Sequence, residues 1–421
     1  MKKFVIIGNS AAGISAAEEI RRRDKDAAIT MISSEDYTAY CRCLISYYLA
    51  KDIKEEKIVL RPQSFYKDNN IELILDKEVT RVDPKKNRII CADKKQVEYD
   101  ALLIASGASP KFPDIKGVKR KGVFGFRTIK DIREIESLLT VAKAACVLGG
   151  GLVGLKAAYA LKKRGLEVKV IIKSQHVLSQ VLDAAAAGLV EQQLTGNAIE
   201  LIKGHDAIEI IGEGDVRAVK LDSGKALESG LIIVAKGVAA NMNLVRESGI
   251  ALNQGILVND MLATNIPNIY AAGDVTESLD ITLNKPNVNA LWPVAVEQGR
   301  IAGANIAQAG LKYDGSLGMN SIEFFGLPVV SLGVYKTDAN DPSYEVLQKS
   351  DPGQKVYKKF VIKDNVLIGA ILAGKIHNSG IFLRLMREKI NILSVKERFF
   401  ADDFGYPEIR DIVREEEKIY L

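Results

Sequence analysis

Two glycine-rich turns decide the fold of this chain, and each follows directly on a short apolar run. The first stretch reads Phe4-Val5-Ile6-Ile7-Gly8-Asn9-Ser10-Ala11-Ala12-Gly13, and the second reads Cys146-Val147-Leu148-Gly149-Gly150-Gly151-Leu152-Val153-Gly154. In both, the apolar run is typical of a buried strand, and the small residues after it predict a tight turn into a helix. A helix that begins in this way offers its free N–H groups to a pyrophosphate. The two stretches therefore predict two dinucleotide sites, so that one nucleotide can donate electrons and the other can hold them.

The sequence around each turn predicts a strand–helix–strand unit. In the first unit the strands are expected at 3–7 and 28–32 and the helix at 11–23. In the second unit the strands are expected at 145–148 and 168–172 and the helix at 153–164. Continuous apolar runs at 101–105 and 231–235 are typical of parallel strands that are covered on both faces. Further elements are expected at 72–75 and 88–92 (strands) and at about 293–307 (helix).

The pattern changes after about residue 312. Alternating apolar and polar residues predict strands at 356–362 and 366–373, and a helix follows at about 380–389. The predicted fold class is therefore α/β, with two Rossmann-like dinucleotide-binding domains and a separate C-terminal α+β domain.

Composition narrows the class of protein. Of the 421 residues 47% are hydrophobic and 26% charged, and no apolar run is long enough to span a membrane. The chain opens Met1-Lys2-Lys3 without an export signal, so we expect a cytoplasmic protein that binds no membrane. The net charge of +5 comes from 58 basic and 53 acidic residues, which argues against nucleic-acid binding but suits a small acidic partner. The four cysteines and three histidines lack the spacing of metal ligands, so no metal site is expected.

Five motifs in a fixed order carry a resemblance to a known family. They are Gly8–Gly13, Tyr99–Gly107, Gly149–Gly154, Gly237 and Ile269–Asp274. Together they resemble the pyridine nucleotide–disulfide oxidoreductases, and most of all the rubredoxin reductase, nitrite reductase, NADH oxidase and coenzyme A disulfide reductase branch. The stretches Asn320–Pro328 and Leu367–Ala370 are similar to the small C-terminal domain of the rubredoxin and nitrite reductases.

The resemblance implies the domain organisation and both cofactors. An FAD domain would be built from residues 1–114 and 241–311, with an NAD(P)H domain of residues 115–240 inserted between them. Residues 312–421 would form an interface domain, through which two copies of the chain could form a homodimer. The residues expected to bind FAD are Gly8, Ser10, Ala11, Ala12, Gly13, Ser33, Glu35, Arg42, Val79, Ala105, Ser106, Gly107, Gly273, Asp274 and Trp292. Those expected to bind NAD(P)H are Gly149, Gly151, Leu152, Val153, Gly154, Lys173 and Gly237.

Within this set the resemblance gives two parts a specific role. Asp274 would accept a hydrogen bond from a ribityl hydroxyl of the flavin. The helix that follows Trp292 would direct its N-terminus at the flavin pyrimidine, where its dipole favours the negative charge of reduced flavin.

The sequence departs from the family pattern at three nucleotide-binding positions. Ser10 replaces the middle glycine of the first turn, and its small side chain still permits close approach. Ser33 stands where an acid usually binds the adenosine ribose, which leaves Glu35 as the nearest carboxylate. Lys173 stands where an acid selects NADH, and with Ser174 it could bind a 2′-phosphate, so we expect NADPH to be used at least as well as NADH.

Lys156 is a candidate catalytic residue. Relatives commonly place a glutamate here, two residues after the last glycine, facing a lysine beside the flavin. In this chain the two positions fall on Lys156 and Tyr47. Because both partners have changed together, we expect the two side chains to meet near the flavin.

The segment Cys41-Arg42-Cys43 fits two branches of the family. Cys43 falls on the single redox cysteine of coenzyme A disulfide reductase and NADH oxidase, whereas Arg42 falls on the arginine of rubredoxin reductases. Proximity to Arg42 and the flavin would favour the Cys43 thiolate. A disulfide to Cys41 is disfavoured, because the two Cα atoms would lie ~6.6 Å apart in a strand and the side chains would diverge in a helix. Cys91 and Cys146 fall in strand patterns and are expected to be inert core residues.

Three functions remain open at this point. The first is an NAD(P)H oxidoreductase that passes electrons through FAD to a small carrier of the rubredoxin or ferredoxin type. The second is a Cys43-dependent enzyme that reduces a small disulfide or oxygen. The third is a nucleotide-sensing flavoprotein without significant turnover.

Overall fold

The structure is a computed structural model that describes residues 1–338 and 341–419. Its contacts divide the chain into two compact units, and each unit is built from segments that are distant in sequence. Unit 1 comprises Met1–Lys111, Arg127–Glu134 and Gly237–Ser316. Unit 2 comprises Phe112–Phe126, Ile135–Lys236 and Leu317–Leu421.

The elements are numbered in chain order. The helices are α1 (Ala11–Arg23), α2 (Ile45–Leu49), α3 (Gln63–Asp68), α4 (Ile129–Leu138), α5 (Leu152–Lys163), α6 (Ala184–Gly196), α7 (Trp292–Ile306), α8 (Ser379–Arg387) and α9 (Tyr406–Ile419). The strands up to residue 124 are β1 (Lys3–Ile7), β2 (Ala28–Ile32), β3 (Ile71–Ile74), β4 (Val79–Asp83), β5 (Arg88–Cys91), β6 (Gln96–Glu98), β7 (Ala101–Ile104), β8 (Ala108–Pro110) and β9 (Val123–Phe124). Those from 144 to 287 are β10 (Ala144–Leu148), β11 (Glu167–Ile172), β12 (Ile199–Lys203), β13 (Ala207–Glu213), β14 (Asp215–Leu221), β15 (Ala226–Glu228), β16 (Leu231–Val234), β17 (Val238–Ala240), β18 (Ile256–Leu257), β19 (Ile269–Ala271), β20 (Thr276–Asp280) and β21 (Lys285–Asn287). The last five are β22 (Met319–Phe324), β23 (Leu327–Gly333), β24 (Tyr344–Asp351), β25 (Val356–Lys363) and β26 (Val366–Ala373).

Unit 1 is organised around a parallel sheet in the order β19-β7-β1-β2-β3. Strands β1 and β7 are apolar and buried at successive positions, because both faces of the sheet are covered. On one face α1 packs against α7 at very short range. A Cβ atom on Gly299 would lie 2.2 Å from the Ala12 carbonyl oxygen, and one on Gly303 would lie 2.6 Å from that of Ala16. Glycine is therefore required where the two helices cross.

Unit 2 contains a second parallel sheet, in the order β12-β11-β10-β16-β9. The antiparallel ribbon β13-β14-β15 packs beside it and shares an apolar core that includes Cys146 and Ile210. The C-terminal part of this unit is an antiparallel sheet in the order β22-β23-β26-β25-β24. Its core is a group of aromatic rings on β25, α8 and the following turns, with centroids 4.8–5.7 Å apart: Phe360, Phe382, Phe399 and Phe404.

The predicted α/β class is confirmed, and so are most of the predicted elements. Strands β1, β2 and β26 and helix α1 begin and end where the sequence predicts. Most other predicted ends differ by one or two residues, for example α5, expected at 153–164 and found at Leu152–Lys163. No described helix is both long and apolar enough to cross a membrane.

Candidate functional site

The first glycine-rich turn forms a narrow cradle, here called the first cradle (Gly8–Gly13), between β1 and α1. Gly8 has φ 120°, and a Cβ atom there would lie 2.1 Å from the Ala105 carbonyl oxygen. A Cβ atom on Gly13 would lie 2.0 Å from the carbonyl oxygen of Gly8. Side chains are thus excluded at both ends of the turn. Ser10 is the N-cap of α1, and the buried Ala11 and Ala12 follow it in the first helical turn.

A buried polar atom in the first cradle shows that the turn fits a polar ligand. Asn9 is 9% exposed, and its Oδ1 accepts a hydrogen bond from the Tyr66 hydroxyl at 2.8 Å. Its Nδ2 has no hydrogen-bond partner among the described residues. An unpaired buried donor costs free energy. Phosphate oxygens of a dinucleotide would satisfy this atom, so the residues of the first cradle fit the pyrophosphate of FAD.

The topology brings other predicted FAD residues to the same edge of the sheet. Strands β1, β7 and β19 are parallel neighbours, so their carboxyl ends carry Gly8, Ser106 and Gly273 side by side. The Ser106 hydroxyl donates to the Asn241 carbonyl at 2.9 Å, and the Asn241 amide donates to the Ser106 carbonyl at the same distance. Gly107 and Gly273 both have positive φ, 68° and 83°. In open parallel sheets this edge is where ligands bind.

Glu35 belongs to an ion-pair network. Its carboxylate is paired with the Arg42 guanidinium and also accepts from the Tyr40 hydroxyl at 2.6 Å. The Tyr40 oxygen in turn accepts from the backbone N–H of Ile129 at 3.0 Å. Burial, followed by the nearby carboxylate of Glu35, raises the pKa of Tyr40. Glu35 and Arg42, two residues expected to bind FAD, thus lie together.

Arg127 is a candidate residue that the sequence analysis missed. Its guanidinium lies 2.5 Å from Asp274 Oδ2, and its carbonyl accepts from Arg42 at 3.1 Å. The turn that carries Arg127 is fixed by a reciprocal cap at the start of α4. Asp131 Oδ2 accepts a hydrogen bond from the Thr128 N–H, and Thr128 Oγ1 accepts one from the Asp131 N–H. This Thr-x-x-Asp cap was readable in the sequence as a helix start. Asp274, the partner of Arg127, was not, because it lies 147 residues away in sequence.

Three further predicted FAD residues, Ser33, Val79 and Trp292, lie at or beside the ends of their elements. Ser33 follows β2 directly, and its hydroxyl accepts from the Glu35 N–H at 3.2 Å. Val79 begins β4 and packs on the apolar core that includes Leu102 and Ile104 of β7. Trp292 begins α7 and packs on the core around α1. Their roles toward a cofactor stay predictions.

The second glycine-rich turn, the second cradle (Gly149–Gly154), repeats the geometry of the first. Gly149 has φ 124°, and its Cβ atom would lie 2.3 Å from the Ala235 carbonyl oxygen. A Cβ atom on Gly154 would lie 2.0 Å from the Gly149 carbonyl oxygen. Gly151, the N-cap of α5, has no described atom within 4 Å of its Cβ position, and Leu152 and Val153 open the helix beside it. The second cradle therefore also admits a pyrophosphate.

Strand β11, beside the second cradle, does not end in an acidic residue. The strand ends at the buried Ile172, and Lys173 follows with an exposed side chain. The Ser174 hydroxyl donates to the His176 carbonyl at 2.8 Å. Gly237, with φ 89°, lies where the chain returns to unit 1, and its carbonyl accepts from the Lys111 N–H at 2.9 Å.

Lys156 contacts the C-terminal sheet within unit 2. Its Nζ donates to the Glu323 carbonyl at 2.9 Å and lies 5.3 Å from the centre of the Phe324 ring. One turn further along α5, the Tyr159 ring packs on Phe325 with centroids 5.0 Å apart. These contacts fix α5 to the turn between β22 and β23. The predicted meeting of Lys156 with Tyr47 beside the flavin stays a prediction.

The two cysteines on either side of Arg42 have pKa values that are shifted in opposite directions. The side-chain hydrogen bond with Cys43, with the N–H groups of Cys43 and Leu44, outweighs burial and lowers the pKa of Cys41 to about 7. The same contact with Cys41, followed by burial, raises the pKa of Cys43. Of these two thiols, Cys41 is therefore the one that ionises more readily, and the redox role of Cys43 stays a prediction. The buried Cys91 and Cys146 have raised pKa values, for which burial is the main cause.

Two cradles of this kind, each after a parallel strand, define a protein that binds two dinucleotides. The pyridine nucleotide-disulphide oxidoreductase family matches residues 2–299, and the chain belongs to this family of oxidoreductases, which use FAD and NAD(P)H. The rubredoxin NAD+ reductase C-terminal domain matches residues 319–390. The resemblance found in the sequence is thereby confirmed.

Known proteins similar to this chain have different activities. Nitrite reductase [NAD(P)H] of Bacillus subtilis is 32% identical over 375 residues, which cover 89% of this chain and 46% of that protein. NADH oxidase of Methanocaldococcus jannaschii is 36% identical over 320 residues, covering 74% and 71%. The structure of a NAD-dependent persulfide reductase from A. fulgidus has a TM-score of 0.88 at 25% identity, covering 96% and 79%. The chain thus spans about half of the nitrite reductase.

Proposed function

We propose that this chain takes electrons from NAD(P)H and passes them through FAD to a small redox carrier protein of the rubredoxin or ferredoxin type. The presence of two dinucleotide cradles in one chain carries the proposal. A flavin accepts two electrons as a hydride and can release them singly, which is the chemistry that a one-electron carrier needs. The match of the C-terminal domain to that of rubredoxin reductase supports this kind of acceptor.

The residues of unit 1 would bind and orient FAD. The first cradle would hold the pyrophosphate, with Asn9 Nδ2 as a donor. Asp274 would accept from a ribityl hydroxyl, and Arg127, 2.5 Å from that carboxylate, would orient it. Helix α7 would present its N-terminus to the flavin pyrimidine, where its dipole stabilises negative charge.

The acceptor is proposed on two further grounds. The region that this chain matches is 46% of the nitrite reductase. In that relative the matching region is therefore joined to other parts of the protein, as expected of a reductase that passes its electrons onward. The net charge of +5 would favour encounter with an acidic carrier. A cytoplasmic location fits such a carrier, and a homodimer formed through residues 312–421 is proposed with it.

Anaerobic reduction tests the proposed function. Loss of the oxidised-flavin absorbance on addition of NADPH or NADH, followed by reduction of added rubredoxin or ferredoxin, is the expected result. An Asp274→Ala variant should lose FAD, whereas Asp222→Ala, an exposed acid of unit 2, should keep it. A flavoprotein that NAD(P)H does not reduce would contradict the proposal and favour the nucleotide-sensing alternative.

Nucleotide preference is predicted from Lys173. The exposed Lys173 side chain after β11 can pair with the 2′-phosphate of NADPH. The strand ends at Ile172, where an acid would select NADH. Lys173→Glu should lower kcat/KM for NADPH by about tenfold or more, which corresponds to about 1.4 kcal/mol, and leave NADH nearly unchanged. The matched control is Lys169→Glu on β11. Equal losses for both nucleotides, measured by steady-state kinetics, would contradict the prediction.

A second candidate function is reduction of a small disulfide or of oxygen at Cys43. The exposed Cys43 thiol lies close enough to Arg127 and Asp274 for their charges to affect it, so it is near the proposed flavin site. Cys43→Ser should abolish disulfide reduction and leave transfer to a protein carrier intact. Loss of both activities would contradict a separate role for the thiol.

A further inference from the structure

An ion pair joins two loops at the carboxyl edge of the parallel sheet in unit 2. The Lys236 ammonium is paired with the Asp206 carboxylate, and the two residues are 30 positions apart in sequence. Lys236 follows β16 and Asp206 follows β12, whereas β11 and β10 lie between those two strands in the sheet. Because parallel strands have their carboxyl ends at one edge, the pair belongs to the edge where β10 enters the second cradle.

The backbone of Lys236 forms part of the wall of the second cradle. The Cβ position of Gly149 lies 2.3 Å from the Ala235 carbonyl oxygen and 3.6 Å from the Lys236 nitrogen. The Cβ position of Gly154 lies 3.2 Å from the Ala235 Cβ. The lysine side chain therefore starts beside the turn that would hold a pyrophosphate. Its long flexible stem lets the ammonium change partners within its reach.

Asp206 is held in place by contacts other than the ion pair. Its Oδ1 also accepts from the Ala207 N–H at 2.8 Å, and its own N–H donates to Asp222 Oδ2 at 3.1 Å. The neighbouring His205 N–H donates to the Ile172 carbonyl at 3.3 Å, which fixes the loop to the end of β11. The carboxylate thus keeps its position and a hydrogen bond when the ammonium leaves it.

The ion pair is weak enough to be exchanged for a phosphate. The Lys236 side chain is 24% exposed and that of Asp206 is 27% exposed, so solvent screens their attraction. Hydrogen bonds from an ammonium to a phosphate are charge-assisted, and a pyrophosphate carries more negative charge than one carboxylate. The ammonium is therefore expected to favour the phosphate when a nucleotide is bound.

We propose that Lys236 binds the pyrophosphate of NAD(P)H, and that Asp206 holds its ammonium when no nucleotide is bound. Nucleotide binding breaks the ion pair and forms a pair between Lys236 and phosphate, and solvent and the Ala207 N–H then satisfy Asp206. The inference rests on the proposed function, which identifies the nucleotide. Lys236 contributes equally to NADH and NADPH because both carry the same pyrophosphate, whereas Lys173 is expected to distinguish them.

Nucleotide binding to oxidised, FAD-loaded protein tests the assignment without turnover. Isothermal titration calorimetry measures the dissociation constants of NADP⁺, NAD⁺ and adenosine diphosphoribose, which has the pyrophosphate but neither the nicotinamide nor the 2′-phosphate. Lys236→Gln should weaken binding of each ligand by about tenfold, and Lys236→Arg should weaken it less. The control Lys116→Gln, which breaks an exposed pair with Glu209 at 2.8 Å, should bind each ligand like the wild type.

Asp206→Asn should have the opposite effect, since it releases the ammonium for the nucleotide. We expect binding to become about twofold to fivefold tighter, the range that follows from a partly exposed ion pair. In the Lys236→Gln background the same substitution should change nothing, because Asp206 acts only through Lys236. A gain that persists in the double variant would show general repulsion between Asp206 and the nucleotide, and would overturn the exchange.

Two further results would also overturn the proposal. Unchanged binding in Lys236→Gln would leave the lysine as half of a structural pair, and a loss confined to NADP⁺ would place its partner at the 2′-phosphate. If Lys236→Gln weakens binding of every ligand but NADPH and NADH leave the wild-type flavin oxidised, the inference stands and the proposed function fails. If the wild-type flavin is reduced and Lys236→Gln binds normally, the inference fails and the proposed function stands.

Discussion

At the scale of single residues, the protonation of Cys41 is set by contacts that lie within three positions of it. The Cys43 side chain contributes most to the lowered pKa, and the N–H groups of Cys43 and Leu44 add to it against the effect of burial. No distant charged group is needed to lower the pKa of Cys41. The reactivity of this thiol can therefore be changed through its neighbour.

Alkylation of Cys41 should depend on pH with a midpoint at about 7, below the ordinary thiol value of 9.0. The sign follows from the lowered pKa, because the reactive thiolate is already present at neutral pH and is lost below it. Cys43→Ala should raise the midpoint, and Cys43→Ser, which keeps a hydroxyl donor, should raise it less. Rates of iodoacetamide labelling of reduced protein, read by mass spectrometry, give the profile. A wild-type midpoint near 9 would contradict this assignment.

Glu19 is a second residue whose charge is fixed by close neighbours. Its side chain is 7% exposed and lies 2.7 Å from Arg22 Nη2 and 2.6 Å from Arg23 Nε, on the same helix. The hydrogen bond from Arg22 is the largest cause, and with Arg23 it outweighs burial and lowers the pKa of Glu19 to about 2.

Replacing Glu19 by Gln should lower the free energy of unfolding at pH 7 by about 1–2 kcal/mol, since both arginines are partly exposed and the pairs are screened. The ionised form is stabilising above the ordinary pKa of 4.5, and this contribution is lost as the pH falls from there towards 2. The difference between wild type and variant in urea unfolding should therefore shrink below pH 4.5. Glu18→Gln, an adjacent and more exposed acid, is the control. A difference that stays constant down to pH 3 would contradict the pKa.

At the scale of elements, the crossing of α1 and α7 connects the fold to the FAD site. The first turn of α1 belongs to the first cradle, and α7 is the helix proposed to face the flavin. Ala12 and Ala16 on one helix face Gly299 and Gly303 on the other, with the backbones almost in contact. The small residues of α7 were visible in the sequence, but the helix that they pack against was not.

Gly299→Ala should force these helices apart, because its Cβ atom would lie 2.2 Å from a backbone oxygen. We expect a loss of about 1–3 kcal/mol in stability and a lower FAD content. Gly188→Ala in α6 is the matched control, since no described atom lies within 4 Å of its Cβ position. That control should be neutral or slightly stabilising. Melting temperature and FAD absorbance measure both effects, and wild-type values for Gly299→Ala would contradict the packing.

At the scale of the whole molecule, the chain leaves and re-enters each unit. In unit 2 the nucleotide-binding part is fixed to the C-terminal sheet by Asp183, the N-cap of α6. Asp183 Oδ1 accepts from the Ala186 N–H at 3.1 Å, and Oδ2 accepts from Tyr357 at 2.7 Å and Lys359 at 3.0 Å. One carboxylate therefore caps a helix and neutralises a lysine that is 12% exposed.

Asp183→Ala should destabilise unit 2 by about 2–4 kcal/mol, since it removes a cap and leaves Lys359 without this partner. Asp183→Asn keeps an oxygen for the cap and should lose less. Asp222→Ala, which changes an exposed acid, should have little effect. Hydrogen exchange resolved by segment should show faster exchange in α6 and β25 but not in β1 or α1. Unchanged exchange in α6 would contradict the role of the carboxylate.

Elements that follow local rules were predictable. The strands β1 and β2 and the helix α1 have the predicted ends, because a continuous apolar run, a glycine turn and a run of basic residues mark them within a few positions. The segment Tyr37–Tyr48 was not predicted. It carries several aromatic residues and two cysteines without a clear period, and its 3-10 turn and short α2 are fixed by packing within unit 1.

The sequence by itself determined the class of this protein. Each of the two glycine turns follows an apolar strand and needs close backbone contacts. A turn with those contacts forms a dinucleotide cradle. The tertiary structure alone decided which distant residues share a site. Arg127 meets Asp274 across 147 positions, and Ser106 meets Asn241 across 135. The physical reason is that strand and turn formation depend on neighbours in the chain, whereas the pairing of distant charged and polar groups depends on distances in space that only the folded units set.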